Sequence, residues 1–166
     1  MLREQWGLPA FRREGAALVS VGRRGGDDVM LLKPQTYMNR SGVALRPLLK
    51  DPEFVPSSEL LAVSDDFALP LGIFRLRARG SAGGHNGLRS IEETMGTQEY
   101  ARLRIGIGPV PDNVEDRSEW VVAPFSRGEL HELAERLPDL ADAVDCWLEE
   151  GIEPAMNRFN RRGQET

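Results

Sequence analysis

Three short stretches gather the side chains of this sequence best suited to chemistry. They are Asn39 in "YMNRSG", Asp65 and Asp66 in "VSDDF", and His85 with Asn86 in "GGHNG". An asparagine amide can donate to an oxyanion or accept from a water without the cost of a charge. An aspartate at such a site orients and supports a histidine base. His85 is one of two histidines, the other being His131 in "GELHELAER". Plainer readings stand beside these. A strand-end aspartate caps a turn or helix more often than it catalyses, and His131 lies in a charged run that reads as a solvated helix face. No P-loop, GxGxxG helix entry, HExxH or nucleophile-elbow pattern occurs.

These residues need elements to position them. "AALVSVG" and "DVMLLKP" read as two strands joined by the turn "RRGGDD", with Pro34 ending the second. "QTYMNRSGVALRPLLK" has roughly helical apolar spacing, with Ser41 as an expected N-cap. "DPEFVPSS" is a proline-rich connection, and "ELLAVSDD" reads as a buried strand that delivers acids at its C-terminal end. "GIFRLRARG" and "YARLRIGIG" read as strands, and "NGLRSIEETMG" as a short helix closed by Gly96. "PVPDNVEDRSEW" is a long polar loop. In the C-terminal third Leu130, Leu133, Leu137, Leu140, Val144 and Trp147 define one apolar helix face, which Pro138 should divide or kink. Arg158, Arg161 and Arg162 follow as a basic tail. Because strands alternate with helices, the expected fold is α/β: one domain over residues 1–166, a twisted mixed sheet with a mostly parallel centre, flanked by helices. Asn39 and Asp65 both follow apolar runs, and strand ends are where open α/β sheets bind ligands.

The composition bounds the function. A chain of 166 residues, 40% hydrophobic and 28% charged, suits one globular domain. No window approaches the ~20 apolar residues of a membrane span. The opening "MLREQWGLPAFRREG" lacks the apolar core of a signal peptide, so a cytoplasmic location is expected. Cys146 is the single cysteine, which excludes an internal disulfide and a cysteine-based metal cluster and reads as a buried, inert thiol. The net charge of −5 argues against general nucleic-acid binding. Yet two of the 21 basic residues are lysine and 19 are arginine, and several alternate along expected strands. Arg75, Arg77 and Arg79 form one such set, Arg102 and Arg104 another; on strands each makes a one-faced basic stripe. Phosphate binding and protection of an edge strand explain such stripes equally well.

Three motifs, in order and at consistent spacing, resemble one family. "LLKPQTYMNRSG", "VSDDFALPLGIFRLRARGSAGGHNGLRSI" and "RLRIGIGP" are similar to bacterial-type peptidyl-tRNA hydrolase, from about Val29 to about Arg161. The later "VAPFSRGE" and "AMNRFN" look like the same family's C-terminal half. The resemblance implies hydrolysis of the ester joining a peptide to the tRNA 3′ ribose, without metal or cofactor, by a monomer. It implies that Asn39 helps hold the substrate carbonyl and binds the tRNA end, with Tyr37 and Met38 beside it in the pocket. It makes Asp65 the carboxylate that steadies the catalytic histidine, and Asn86 a substrate-binding residue with His85 at its side. Arg77 and Arg104 fall where the family offers basic side chains to tRNA phosphate, which favours the binding account of the stripes.

The same resemblance shows a departure. The family begins with a strand, a G-L-G-N-P-like loop and an R-H-N-like segment that carries its general base, and neither motif occurs in these 166 residues. The opening resembles the tail of the first helix, so the first strand is expected to be missing. A late start assignment, a truncation and a catalytically dead homologue each account for the difference. His85 accompanies the separate base in the family and is therefore expected to line the site. A chain of these 166 residues is expected to be inactive in turnover; the alternative function is a non-catalytic tRNA- or RNA-binding module using the same groove.

Overall fold

A computed structural model describes residues 1–111, 114 and 117–160. Within them the chain forms two compact units, Met1–Glu59 with Gly80–Glu99, and Leu60–Arg79 with the chain from Tyr100 onward. Arg161 and Arg162 of the expected tail, and part of the polar loop after Val110, lie outside the described residues.

The first unit opens with a one-turn helix, α1 (Leu2–Gln5), and a short strand, β1 (Arg12–Glu14). The expected hairpin follows as β2 (Ala17–Arg24) and β3 (Asp27–Pro34), paired antiparallel from Ala17↔Pro34 to Arg24↔Asp27. Gly25, at φ 60°, supplies the left-handed turn residue that "RRGGDD" promised. β1 completes an antiparallel sheet in the order β1-β2-β3. Val19 and Val29 are buried in it.

After β3 the chain winds into a 3₁₀ helix, Met38–Lys50, with Tyr37 as its N-cap. The expected N-cap, Ser41, lies instead inside the helix, where its Oγ donates to the Met38 carbonyl at 2.8 Å. A serine that bonds back to the preceding turn cannot cap the helix it sits in. The proline-rich connection carries a one-turn helix, α2 (Pro56–Glu59). The unit closes with α3 (Asn86–Met95), ended as expected by Gly96 in the left-handed region at φ 69°. α3 packs on the 3₁₀ helix at Gly42, where an added Cβ would strike the Ser90 carbonyl oxygen and the Thr94 hydroxyl. Glycine is the residue that permits this approach.

The second unit is built on a mixed sheet. β4 (Leu61–Pro70) runs parallel to β6 (Ala101–Gly108), and β5 (Phe74–Arg77) runs antiparallel to β6, in the order β4-β6-β5. The α/β class and the mixed pairing expected from the sequence are thus present, with the strands shared between two three-stranded sheets. β4 is not buried on both faces: Ala62, Ser64 and Asp66 are buried while Val63 and Phe67 are exposed. Its acids also sit mid-strand, since the strand continues to Pro70. The glycines of "RIGIG" admit the C-terminal end of β4, whose carbonyls lie close against them. A Cβ at Gly106 would strike the carbonyl oxygen of Pro70, and one at Gly108 that of Phe67.

α4 (Arg117–Trp120) leads to α5 (Arg127–Glu150) and α6 (Ile152–Phe159). Ser126 and Glu129 close a capping box at the start of α5, each side chain bonding the other's backbone N–H. α5 continues through Pro138 rather than dividing there. Its apolar face is unevenly used: Leu140 and Val144 are buried, whereas Leu130 and Leu137 are exposed. Cys146 is buried as expected, and burial pushes its thiol pKa up although Arg158 Nη1 lies 3.4 Å away. α6 packs on β5, and there Asn160 stands in for a neighbouring strand. Its Oδ1 accepts from Leu76 N at 2.8 Å, and its Nδ2 donates to Leu76 O at 3.1 Å.

Candidate functional site

In the first unit, two segments far apart in sequence converge. Tyr37 holds an extended backbone before the 3₁₀ helix and is 83% exposed; Met38 is 54% exposed. An exposed aromatic ring and thioether beside the exposed Asn39 form an apolar surface next to an amide donor and acceptor. The second segment is the glycine loop. Gly83 and Gly84 take φ of 57° and 88°, and His85 N closes a turn onto the Ala82 carbonyl at 2.9 Å. Asn86 follows, exposed, as the first residue of α3.

The two segments meet at Gly87. A Cβ added there would lie 2.6 Å from Met38 Sδ and 2.9 Å from His85 Cε1. Gly87 therefore positions both side chains by offering no side chain of its own. Ser41 Oγ, 3.8 Å from Met38 Sδ, holds the thioether from the other side, and Ser90 Oγ ties α3 to the 3₁₀ helix by accepting Gly42 N–H at 3.0 Å. Neither Gly87 nor Ser90 stands out in the sequence as a site residue. A glycine one residue inside a helix was the available signal for the first.

His85 has a defined job in this geometry. Its Nδ1 accepts the Leu88 backbone N–H at 3.1 Å, making it the N-cap of α3. In the neutral tautomer that makes this bond, Nε2 is the donor nitrogen. The acceptor nitrogen is thus engaged at the start of the helix. His131 is 80% exposed on α5, with Nε2 3.6 Å from Glu135, the solvated position expected of it.

The remaining candidates belong to the second unit. Adjacent residues of a strand face opposite ways, and the acid pair divides accordingly. Asp66 is buried, with 6% of its side chain exposed; its Oδ2 lies 2.8 Å from Arg104 Nη2 and its Oδ1 accepts from Ala68 N at 2.9 Å. Asp65 lies on the other face, half-buried, opposite Ile105 in the register. The register also merges the arginine stripes. Arg75 pairs with Arg104 and Arg77 with Arg102, so both sets occupy one face of the β5–β6 pair. They are not equally available. Arg77 is exposed; Arg104 is 38% exposed and ion-paired; Arg102 is buried at 2%, its guanidinium 4.4 Å from the Tyr100 ring centroid. Arg102 is thus a core residue, not part of a surface stripe, its side chain buried against Tyr100, the residue that precedes β6. No group of three or more His, Cys, Asp or Glu side chains suited to a metal ion occurs among the described residues.

Comparison with known proteins agrees with the motifs. The family model described as peptidyl-tRNA hydrolase matches residues 1–166. A peptidyl-tRNA hydrolase of Gemmatimonas aurantiaca is 40% identical over 162 residues, covering 96% of this chain and 85% of that protein. One from Chloroflexus aggregans is 44% identical over 159 residues, covering 96% and 84%. The crystal structure of peptidyl-tRNA hydrolase from Acinetobacter baumannii superposes with a TM-score of 0.85 at 31% identity, covering 96% of this chain and 80% of that one. The convergence of "YMN" on "GGHNG" and the match over the whole sequence lead to one conclusion: this chain belongs to the peptidyl-tRNA hydrolase family.

Proposed function

We propose that the chain acts on peptidyl-tRNA in the cytoplasm, at the ester between the peptide and the 3′ ribose. Water adds to the ester carbonyl, the bond to the ribose oxygen breaks, and a proton passes to that oxygen, releasing peptide and tRNA. Asn39 donates to the carbonyl oxygen as charge develops on it. Tyr37 and Met38 present the apolar surface for the acceptor end, with Asn86 and the Nε2–H side of His85 completing that wall. Asp65 serves to orient an imidazole base. Arg77, and to a lesser degree the ion-paired Arg104, meet tRNA phosphates. The observation that carries this reading is the meeting of Met38 and His85 at Gly87, which joins the two family motifs into one surface.

In this reading neither histidine of these 166 residues serves as the base, a reading supported by the cap that His85 makes on α3 and by the solvated position of His131. A polypeptide of this sequence alone is therefore expected to bind N-acetyl-aminoacyl-tRNA and to hydrolyse it negligibly. A turnover assay with that substrate, alongside fluorescence anisotropy for binding, tests both halves. Turnover in the parent that disappears in His85→Ala would overturn the assignment of His85, and absence of binding would overturn the substrate.

A further inference from the structure

The winding of the 3₁₀ helix has a consequence for charge. At 3.0 residues per turn, positions three apart stand in one row. Arg40, Val43, Arg46 and Leu49 are such a row, and all four line an open groove of ≈ 500 Å³ against α3. Ser90 and Thr94 bring hydroxyls to the opposite wall, with the carboxylate of Glu93 between them in sequence. Asn39 also lines the groove, so it is continuous with the candidate site. Both arginines are exposed. In an α-helix they would point well apart around the axis; here they share a face, about 12 Å apart along it at a rise of about 2.0 Å per residue.

We infer that this groove is a phosphate-binding track for the tRNA acceptor strand, with Arg40 and Arg46 each meeting a backbone phosphate as the strand leaves Asn39. The inference rests on the substrate proposed above. Two guanidiniums in line, separated by the apolar Val43, suit a polyanion that passes along the groove rather than a single small anion held in a cage. Arginine's planar fork suits phosphate oxygens, and such contacts fix register without reading bases. Glu93 opposes the bound strand and limits the affinity of the track.

The experiment uses the 166-residue chain and a fluorescent, non-aminoacylated RNA hairpin with the acceptor-stem fold and a CCA end. Anisotropy over a salt series gives the dissociation constant and its salt slope. Arg40→Gln and Arg46→Gln are each expected to weaken binding several-fold, whatever the stem sequence, and to reduce the slope by about one. Arg40→Lys and Arg46→Lys keep the charge and should keep the slope. Glu93→Gln should tighten binding, an opposite sign that a loss of folding cannot produce. An unchanged slope in the Arg40→Gln/Arg46→Gln double variant, or no gain from Glu93→Gln, overturns the track. The substrate reading fails separately. A parent that binds the hairpin through the groove, yet binds N-acetyl-aminoacyl-tRNA no better than a random hairpin, keeps the track and sinks the substrate.

Discussion

His85 Nδ1 accepts the backbone N–H of Leu88 at 3.1 Å, so the histidine of "GGHNG" is tied to the start of α3. His85→Ala removes the cap and should cost about 1 kcal/mol of stability. His85→Asn restores a side-chain acceptor and should recover most of that loss while leaving the imidazole's other contacts unmade. Thermal melts of the two variants separate capping from substrate contact. Equal destabilisation of both would remove the capping role.

Gly87 supports the same surface by having no Cβ. Gly87→Ala should displace Met38 Sδ and the His85 ring, both ends of movable side chains, at a modest stability cost. Binding of N-acetyl-aminoacyl-tRNA should fall by more than the melting temperature suggests. Gly42→Ala offers the contrast, because its Cβ would meet the backbone of α3 at Ser90. That variant should lose stability first, by about 1–3 kcal/mol.

The arginines of the β5–β6 face should respond unequally. Arg77→Gln, at an exposed site, is expected to weaken tRNA binding and to lower the salt slope by about one. Arg104→Gln should lower the slope less, since Asp66 already neutralises much of that charge. It should also destabilise the fold more, because it leaves the buried Asp66 carboxylate without its guanidinium. Identical slopes and melting temperatures for the two variants would contradict the pairing.

Asn160 completes the hydrogen bonding of an edge strand with a side-chain amide. Asn160→Ala leaves Leu76 N–H and C=O without that partner and should cost about 2 kcal/mol, two net hydrogen bonds, in urea unfolding. Asn160→Asp keeps the acceptor and loses the donor, so it should fall between the two.

Acid should weaken the C-terminal helices. The Arg158 hydrogen bond holds Glu150 below the usual glutamate value of 4.5, and the bonds from Ser126 do the same for Glu129. A carboxyl whose folded pKa is depressed contributes stability above its unfolded value and loses it as pH falls through the folded one. Glu150→Gln should therefore melt lower than the parent near neutrality, by a small margin since the pair is exposed. The difference should vanish well below pH 4.5. A gap that persists in acid would point to packing rather than charge.

Much of this was legible in residue order. The hairpin around Gly25, the Gly96 stop of α3, the strand over Ala101–Gly108 and the buried Cys146 follow from turn chemistry and periodicity, which act locally. The family motifs likewise named Asn39, His85 and Asn86 without any coordinates. Three things were not legible. Ser41 looked like a cap because capping and back-bonding serines have the same sequence signature, and the position of the first helical residue separates them. Pro138 left both a division and a kink open, and α5 runs on through it with Leu140, Ala141 and Val144 buried beyond. The arginine stripes looked like two surfaces because register between strands is a long-range property.

The sequence by itself determined the α/β class, the family and the identity of the polar groups, since these rest on local pattern and on motif spacing. Tertiary structure alone decided their state: which nitrogen of His85 is spent on a helix, which aspartate is buried with Arg104, and which arginines still face water. The reason is physical. A hydrogen bond, an ion pair or a buried guanidinium depends on distances between segments far apart along the chain, and those distances exist only after packing has set them.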